Sequence, residues 1–144
     1  MSALFLVGID GSEGARRAAE FAAHRARAEG GRLLLVHVVE WSGHEMLTPE
    51  QLAERHVERE HEIQQARERI LAPVAAALEG VGVAVETLVR HGHVTEVLCA
   101  LAKERGVTQV FSGRRGHSRI AALLFGSVAG SLVQVSPVPV TVVP

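Results

Sequence analysis

At 144 residues the chain is long enough for one buried core and short for two, so a single domain spanning 1–144 is expected. Hydrophobic residues make up 47% and charged residues 22%, a globular balance without the signature of disorder. Fifteen basic against sixteen acidic side chains give a net charge of −1, so no overall field draws the chain to nucleic acid or to an anionic membrane.

The single cysteine, Cys99, excludes an intramolecular disulfide and suits a reducing cytoplasm. Met1 to Gly8 lacks the basic start and cleavage site of a secretory signal, and no apolar run is long enough to span a bilayer. A cytoplasmic protein is therefore expected, with no membrane and no nucleic acid among its partners.

Ala3 to Ile9 is a continuous apolar run, the pattern of a parallel strand covered on both faces. After Asp10-Gly11, Ser12 is placed to cap a helix. Glu13 favours that helix's positive end, and Ala15, Ala18, Ala19, Ala22, Ala23 and Ala26 form its small-residue face, stopped by Gly30-Gly31. Leu33 to Val39 repeats the strand pattern, and Trp41 to His44 break it. From about Pro49 to about Leu78 a long helix is predicted, apolar on one face only in its later half (Ile63, Ala66, Ile70, Val74, Ala77), with Pro73 as a candidate kink. Its polar first half reads as a solvated face, with a partner surface as the alternative.

Val81–Val89 follows as a third strand, Thr95–Arg105 as a helix, Val107–Phe111 as a fourth strand, Gly126–Val135 as a last helix and Val138–Val143 as a final strand. Regular alternation of strand and helix implies right-handed crossovers and an α/β fold of three layers, a parallel sheet between helices.

In such sheets ligands settle beyond the carboxyl ends of the strands, at the topological switch point. Two loops qualify by content: Asp10-Gly11-Ser12, and Gly113-Arg114-Arg115-Gly116. Glycines at 113 and 116 permit positive φ and let bare N–H groups approach an anion. Nine residues later Gly126-Ser127 opens a helix, whose first turn and hydroxyl suit phosphate oxygens. The plainer alternative makes these turn glycines, with Ser127 a helix cap. Asp10 is the only aspartate among sixteen acidic residues; its short stem suits a ribose hydroxyl or a phosphate-bound divalent ion, and equally a local Asx turn. Neither the P-loop nor the dinucleotide glycine fingerprint is present.

Gly113-x-x-Gly116, nine residues, then Gly126-Ser127 resembles in full the G-2x-G-9x-G-[ST] signature of ATP-binding universal stress proteins. Gly8 to Ser12, Leu35 to Val38, Gly92 and Ser136 to Val140 are similar as well, so the resemblance covers the whole chain. It implies a five-stranded parallel sheet of order 3-2-1-4-5 and an adenine nucleotide, ATP or else ADP or AMP, bound with Mg2+ or Mn2+. By that likeness Asp10 contacts the ribose or the ion, Val38 meets adenine through its backbone, and Gly113 borders the ribose. Gly116, Gly126, Ser127 and Val128 surround the phosphates, with Ser12 and Arg114 completing the nucleotide-binding set. Arg115 and Arg119 are further candidates for phosphate. Ser112 departs from the apolar residue, often methionine, usual before the first glycine. The likeness also implies a homodimer paired antiparallel through the Val138–Val143 edge.

Eight histidines raise the question of a metal, but His56 and His61 lie five apart and do not share a helical face, and no cysteine pair supports zinc. His37 inside an apolar strand reads as a hydrogen-bonded core histidine. Cys99, among Val97, Leu98 and Leu101, reads as a buried structural thiol. Three functions stay open: a nucleotide-dependent regulatory module of the stress response with an unknown protein partner; a slow ATPase or phosphotransferase, for which no residue stands out to position the attacking group; and a structural adaptor dimer that the nucleotide merely stabilises.

Overall fold

The computed structural model of the chain describes residues 2–40, 48–116 and 126–144. Its strands are β1 (Leu4–Gly8), β2 (Arg32–Glu40), β3 (Val85–Gly92), β4 (Gln109–Gly113) and β5 (Val140–Val143). They form one parallel sheet in the order β3-β2-β1-β4-β5, the order that the resemblance implies.

Side chains alternate across this sheet and so build two cores. Phe5, Val7, Leu33, Leu35, Val89 and Phe111 face one side, against the helices α1 (Glu13–Glu29) and α3 (Ala72–Ala77). Leu4, Leu6, Leu34, Val36, Val38 and Val110 face the other, against α4 (Val94–Glu104) and α5 (Ser127–Val135). Burial on both faces is why the strands read as continuous rather than alternating apolar runs.

The Ser12 hydroxyl accepts the Ala15 N–H at 3.2 Å and caps α1, and Gly30 ends the helix in the left-handed region at φ 68°. All six predicted alanines are buried, which lets α1 lie close against β1 and β4. Phe111 packs its ring 5.0 Å from that of Phe5 and 6.1 Å from that of Phe21, joining β4 to β1 and α1.

The predicted long helix is three segments: α2 (Pro49–Ala66), a π-helical turn (Arg67–Leu71) and α3. Thr48 and Gln51 close a reciprocal capping box at its start. Pro73 has no N–H to give and its ring would press on the carbonyl four residues back. The widened turn, in which the Ala72 N–H reaches the Arg67 carbonyl, accommodates it.

Strand boundaries moved along the chain. Val81 belongs to a 3-10 turn ended by Gly82 at φ 80°, and β3 starts only at Val85; Val81 and Val83 still pack against the core, hence their apolar character. Val107 is buried ahead of β4 rather than within it, and β5 is shorter than predicted because Ser136–Pro139 form a bend before it. At the β3 edge the Arg105 guanidinium lies 2.6 Å from Glu86 and holds its carboxyl below the usual range.

Candidate functional site

Between β1 and β4 successive crossovers diverge, and a cleft of about 410 Å³ opens there at the carboxyl ends of the strands. Asp10 and Ser12 line it from the loop after β1, and Val36, His37, Val38 and Glu40 from β2. Gly113, Arg115 and Gly116 line it from the loop after β4, and Gly126 to Ala129 from the start of α5, with Leu98 and Val94 on α4.

The Asp10 carboxylate is held in place. Its Oδ1 accepts the Ser12 N–H at 2.9 Å and the Ser12 hydroxyl, while Gly11 between them adopts φ 85°. The Asx turn is present, and the same residue lines the cleft.

The glycines of the signature act by close approach, not by positive φ as the sequence suggested. Gly113, Gly116 and Gly126 all lie outside the left-handed region. A Cβ on Gly113 would stand 2.6 Å from the Gly14 carbonyl carbon, and one on Gly116 would strike Asp10 Oδ2. A Cβ on Gly126 would stand 3.3 Å from the Gly116 nitrogen. The loop after β4 is therefore pressed onto the first turn of α1, the Asp10 carboxylate and the entry to α5. Gly126 is the N-cap of α5 and, as a glycine, brings no side chain to cap that first turn, so Ser127 is its first residue and not the cap.

Among the described residues, every nominated one except Arg114 lines the cleft. The Arg114 backbone is spent on structure: its N–H donates to the Val143 carbonyl at 2.8 Å and its carbonyl accepts the Gly126 N–H at 2.7 Å. Arg119 lies outside the described residues. Ser112 is buried and donates its hydroxyl to the Gly113 carbonyl at 3.0 Å, which satisfies a polar group where an apolar one is usual.

Sequence reasoning missed three residues. Gly14 has no motif to announce it, since its role appears only when the loop is seen resting on it. Glu40 ends β2 at the cleft mouth. His37 is half-buried and hydrogen-bonded as expected, its ring Nδ1 donating to the Ile9 carbonyl at 2.6 Å, yet it also lines the cleft and ties β2 to the strand end that carries Asp10.

Cys99 lies half-buried on α4, and burial pushes its thiol up against a weaker opposing pull from Lys103. The thiolate fraction at neutral pH is thereby reduced. Alkylation by iodoacetamide at pH 7 is expected to run slower than that of an unstructured cysteine peptide and to catch up only in alkaline solution; equal rates at pH 7 would contradict this.

A parallel sheet of this order, with a glycine-lined cleft at its switch point, defines a doubly wound α/β protein of the kind that binds ligands beyond its strand ends. The model of the universal stress protein family matches residues 1–144. The chain belongs to the universal stress protein family. It is 31% identical over 146 residues to the universal stress protein YxiE of Bacillus subtilis, covering 96% of each chain. Among solved structures it is similar to hypothetical protein MJ0577, with TM-score 0.79, 24% identity and 99% and 96% of the two chains covered. A universal stress protein in complex with cAMP matches with TM-score 0.66 and 22% identity over 99% and 96% of the chains. The Arabidopsis thaliana family member At3g01520, with AMP bound, matches with TM-score 0.63 and 18% identity over 98% and 90%. At these identities the structural likenesses speak for the fold.

Proposed function

We propose that the cleft binds an adenine nucleotide, ATP with Mg2+ or Mn2+ foremost and ADP or AMP as alternatives, and that occupancy makes this chain a regulatory module of the stress response in the cytoplasm. The observation that carries this is the convergence of Gly113, Gly116, Gly126 and Ser127 on Asp10, from distant parts of the sequence, at the switch-point cleft. Support also comes from the structurally similar proteins that hold cAMP and AMP.

The residues fit such a ligand. Bare backbone at Gly116 and the first turn of α5, which its N-cap glycine leaves without a side-chain cap, offer N–H groups to phosphate oxygens, with Gly126, Ser127 and Val128 lining the cleft beside them. Val38, at the far side across β1, offers its backbone to the base, and Asp10 between them suits a ribose hydroxyl or the ion. Among the described residues no group of three or more His, Cys, Asp or Glu side chains could hold a metal, so the ion would ride on the phosphates with Asp10 as its protein ligand. Bound there, it would neutralise phosphate charge.

Calorimetric titration of MgATP into nucleotide-stripped protein is expected to show one site per chain. A folded, stripped protein that takes up none of ATP, ADP and AMP would overturn the assignment and leave the adaptor role in front.

The same proposal includes a dimer through the β5 edge. Val140 and Val142 are partly exposed there, and Pro139 lends only its carbonyl to the ladder, accepting the Val110 N–H at 2.9 Å. Val140→Lys is expected to shift sedimentation towards monomer; an unchanged dimer removes this edge as the interface.

A further inference from the structure

The loop after β4 carries two adjacent arginines, and the structure separates them. Both polar backbone groups of Arg114 are committed to β5 and to Gly126, and Arg114 does not line the cleft. Arg115 does line it, and among the described residues it is the one lysine or arginine that does so, facing a lining that otherwise carries the carboxylates of Asp10 and Glu40. Its position is built from below. A Cβ on Gly14 would stand 2.6 Å from the Arg115 carbonyl oxygen, so the Arg115 backbone rests on the first turn of α1 only because residue 14 has no side chain. The Cβ position of Gly126 is 3.4 Å from the Arg115 Cα, which places the residue within the glycine cluster.

We propose that Arg115 makes the cleft count phosphates: it strengthens binding as the ligand lengthens from a nucleoside monophosphate to a triphosphate, and Gly14 is the seat that positions it. This rests on the adenine-nucleotide reading of the cleft. A guanidinium pairs with phosphate oxygens through a fork of N–H donors, and its contribution grows with the charge it meets. Being exposed, the contact is screened by salt.

The test is calorimetric titration of AMP, ADP and ATP, each with magnesium, into wild type, Arg115→Gln, Gly14→Ala, Arg114→Gln and, as a charge-matched control on the far end of α1, Arg27→Gln. Arg115→Gln is expected to weaken ATP roughly tenfold and AMP by less than about twofold, with the difference shrinking at high salt. Gly14→Ala should narrow the ATP-to-AMP ratio in the same direction with Arg115 still present, and Arg27→Gln should leave the ratio alone. Equal weakening of ATP and AMP by Arg115→Gln, or a larger loss of ATP from Arg114→Gln, overturns the proposal. Inorganic tripolyphosphate separates the two possible failures. If it binds through Arg115 while ATP does not bind, the adenine assignment falls and takes the ATP-to-AMP discrimination with it, leaving Arg115 as a polyphosphate contact alone. If ATP binds and Arg115→Gln leaves the ATP-to-AMP ratio unchanged, the role of Arg115 falls and the adenine assignment stands. If neither binds, both fall.

Discussion

Gly116→Val is expected to weaken MgATP binding by about 100-fold or more, equivalent to about 2.8 kcal/mol, while the protein stays folded. The valine Cβ would strike Asp10 Oδ2. A free carboxylate would swing aside at little cost, but Asp10 Oδ1 is anchored by the Ser12 N–H and hydroxyl, and Ser12 in turn caps α1. The variant must therefore either break that turn or lift the loop from the cleft, and each displaces groups proposed to hold the nucleotide. The fold itself is spared because Gly116 is exposed at the rim and its φ is one that valine adopts. Gly113→Val differs in kind: its Cβ would meet the Gly14 backbone, which cannot rotate away, so it should lower the melting temperature as well. Calorimetry alongside thermal melts separates the two. Wild-type affinity in Gly116→Val would remove this glycine from the site.

Phe111→Ala is expected to cost about 3–5 kcal/mol, a large share of the roughly 5–15 kcal/mol that holds a domain of this size together. Phe111 is 1% exposed, occupies the central part of β4 and packs against both Phe5 and Phe21, so its removal leaves a void that three elements would have to collapse into. Urea melts should show an earlier midpoint with little change in slope, and the thermal midpoint should fall by about 10 °C. A loss below about 1 kcal/mol would mean that the site repacks and that the aromatic contact carries little.

Much of this architecture was legible because burial on both faces of a sheet leaves a plain mark. Ala3–Ile9 and Leu33–Val39 are apolar throughout, and the alanine stripe of α1 announces a helix that packs closely. What escaped lay in the hydrogen bonds. Val81 and Val83 are apolar because they pack under the core, and apolarity does not say whether a backbone pairs with a strand or turns at Gly82. The π turn ahead of Pro73 leaves the side-chain pattern of a helix intact, so only the kink could be anticipated. At the cleft the glycines were found but for another reason: they are bare because other segments of the chain touch there, and the neighbours, Gly14 and Asp10, are about a hundred residues away in sequence. The choice between Arg114 and Arg115 likewise depends on which backbone is tied down, and a dipeptide of two identical residues carries no trace of it.

The two bonds at Arg114 bear on more than the placing of its side chain. Through its N–H the residue is fastened to β5, the last strand of the sheet, and through its carbonyl to Gly126, the threshold of α5. The outer border of the sheet and the floor of the cleft are thus hinged on one residue. A shift of β5 that stretched the first bond would pull on the second, so a neighbour docking along that border and a ligand settling in the cleft would each feel the other's strain across a single residue of chain.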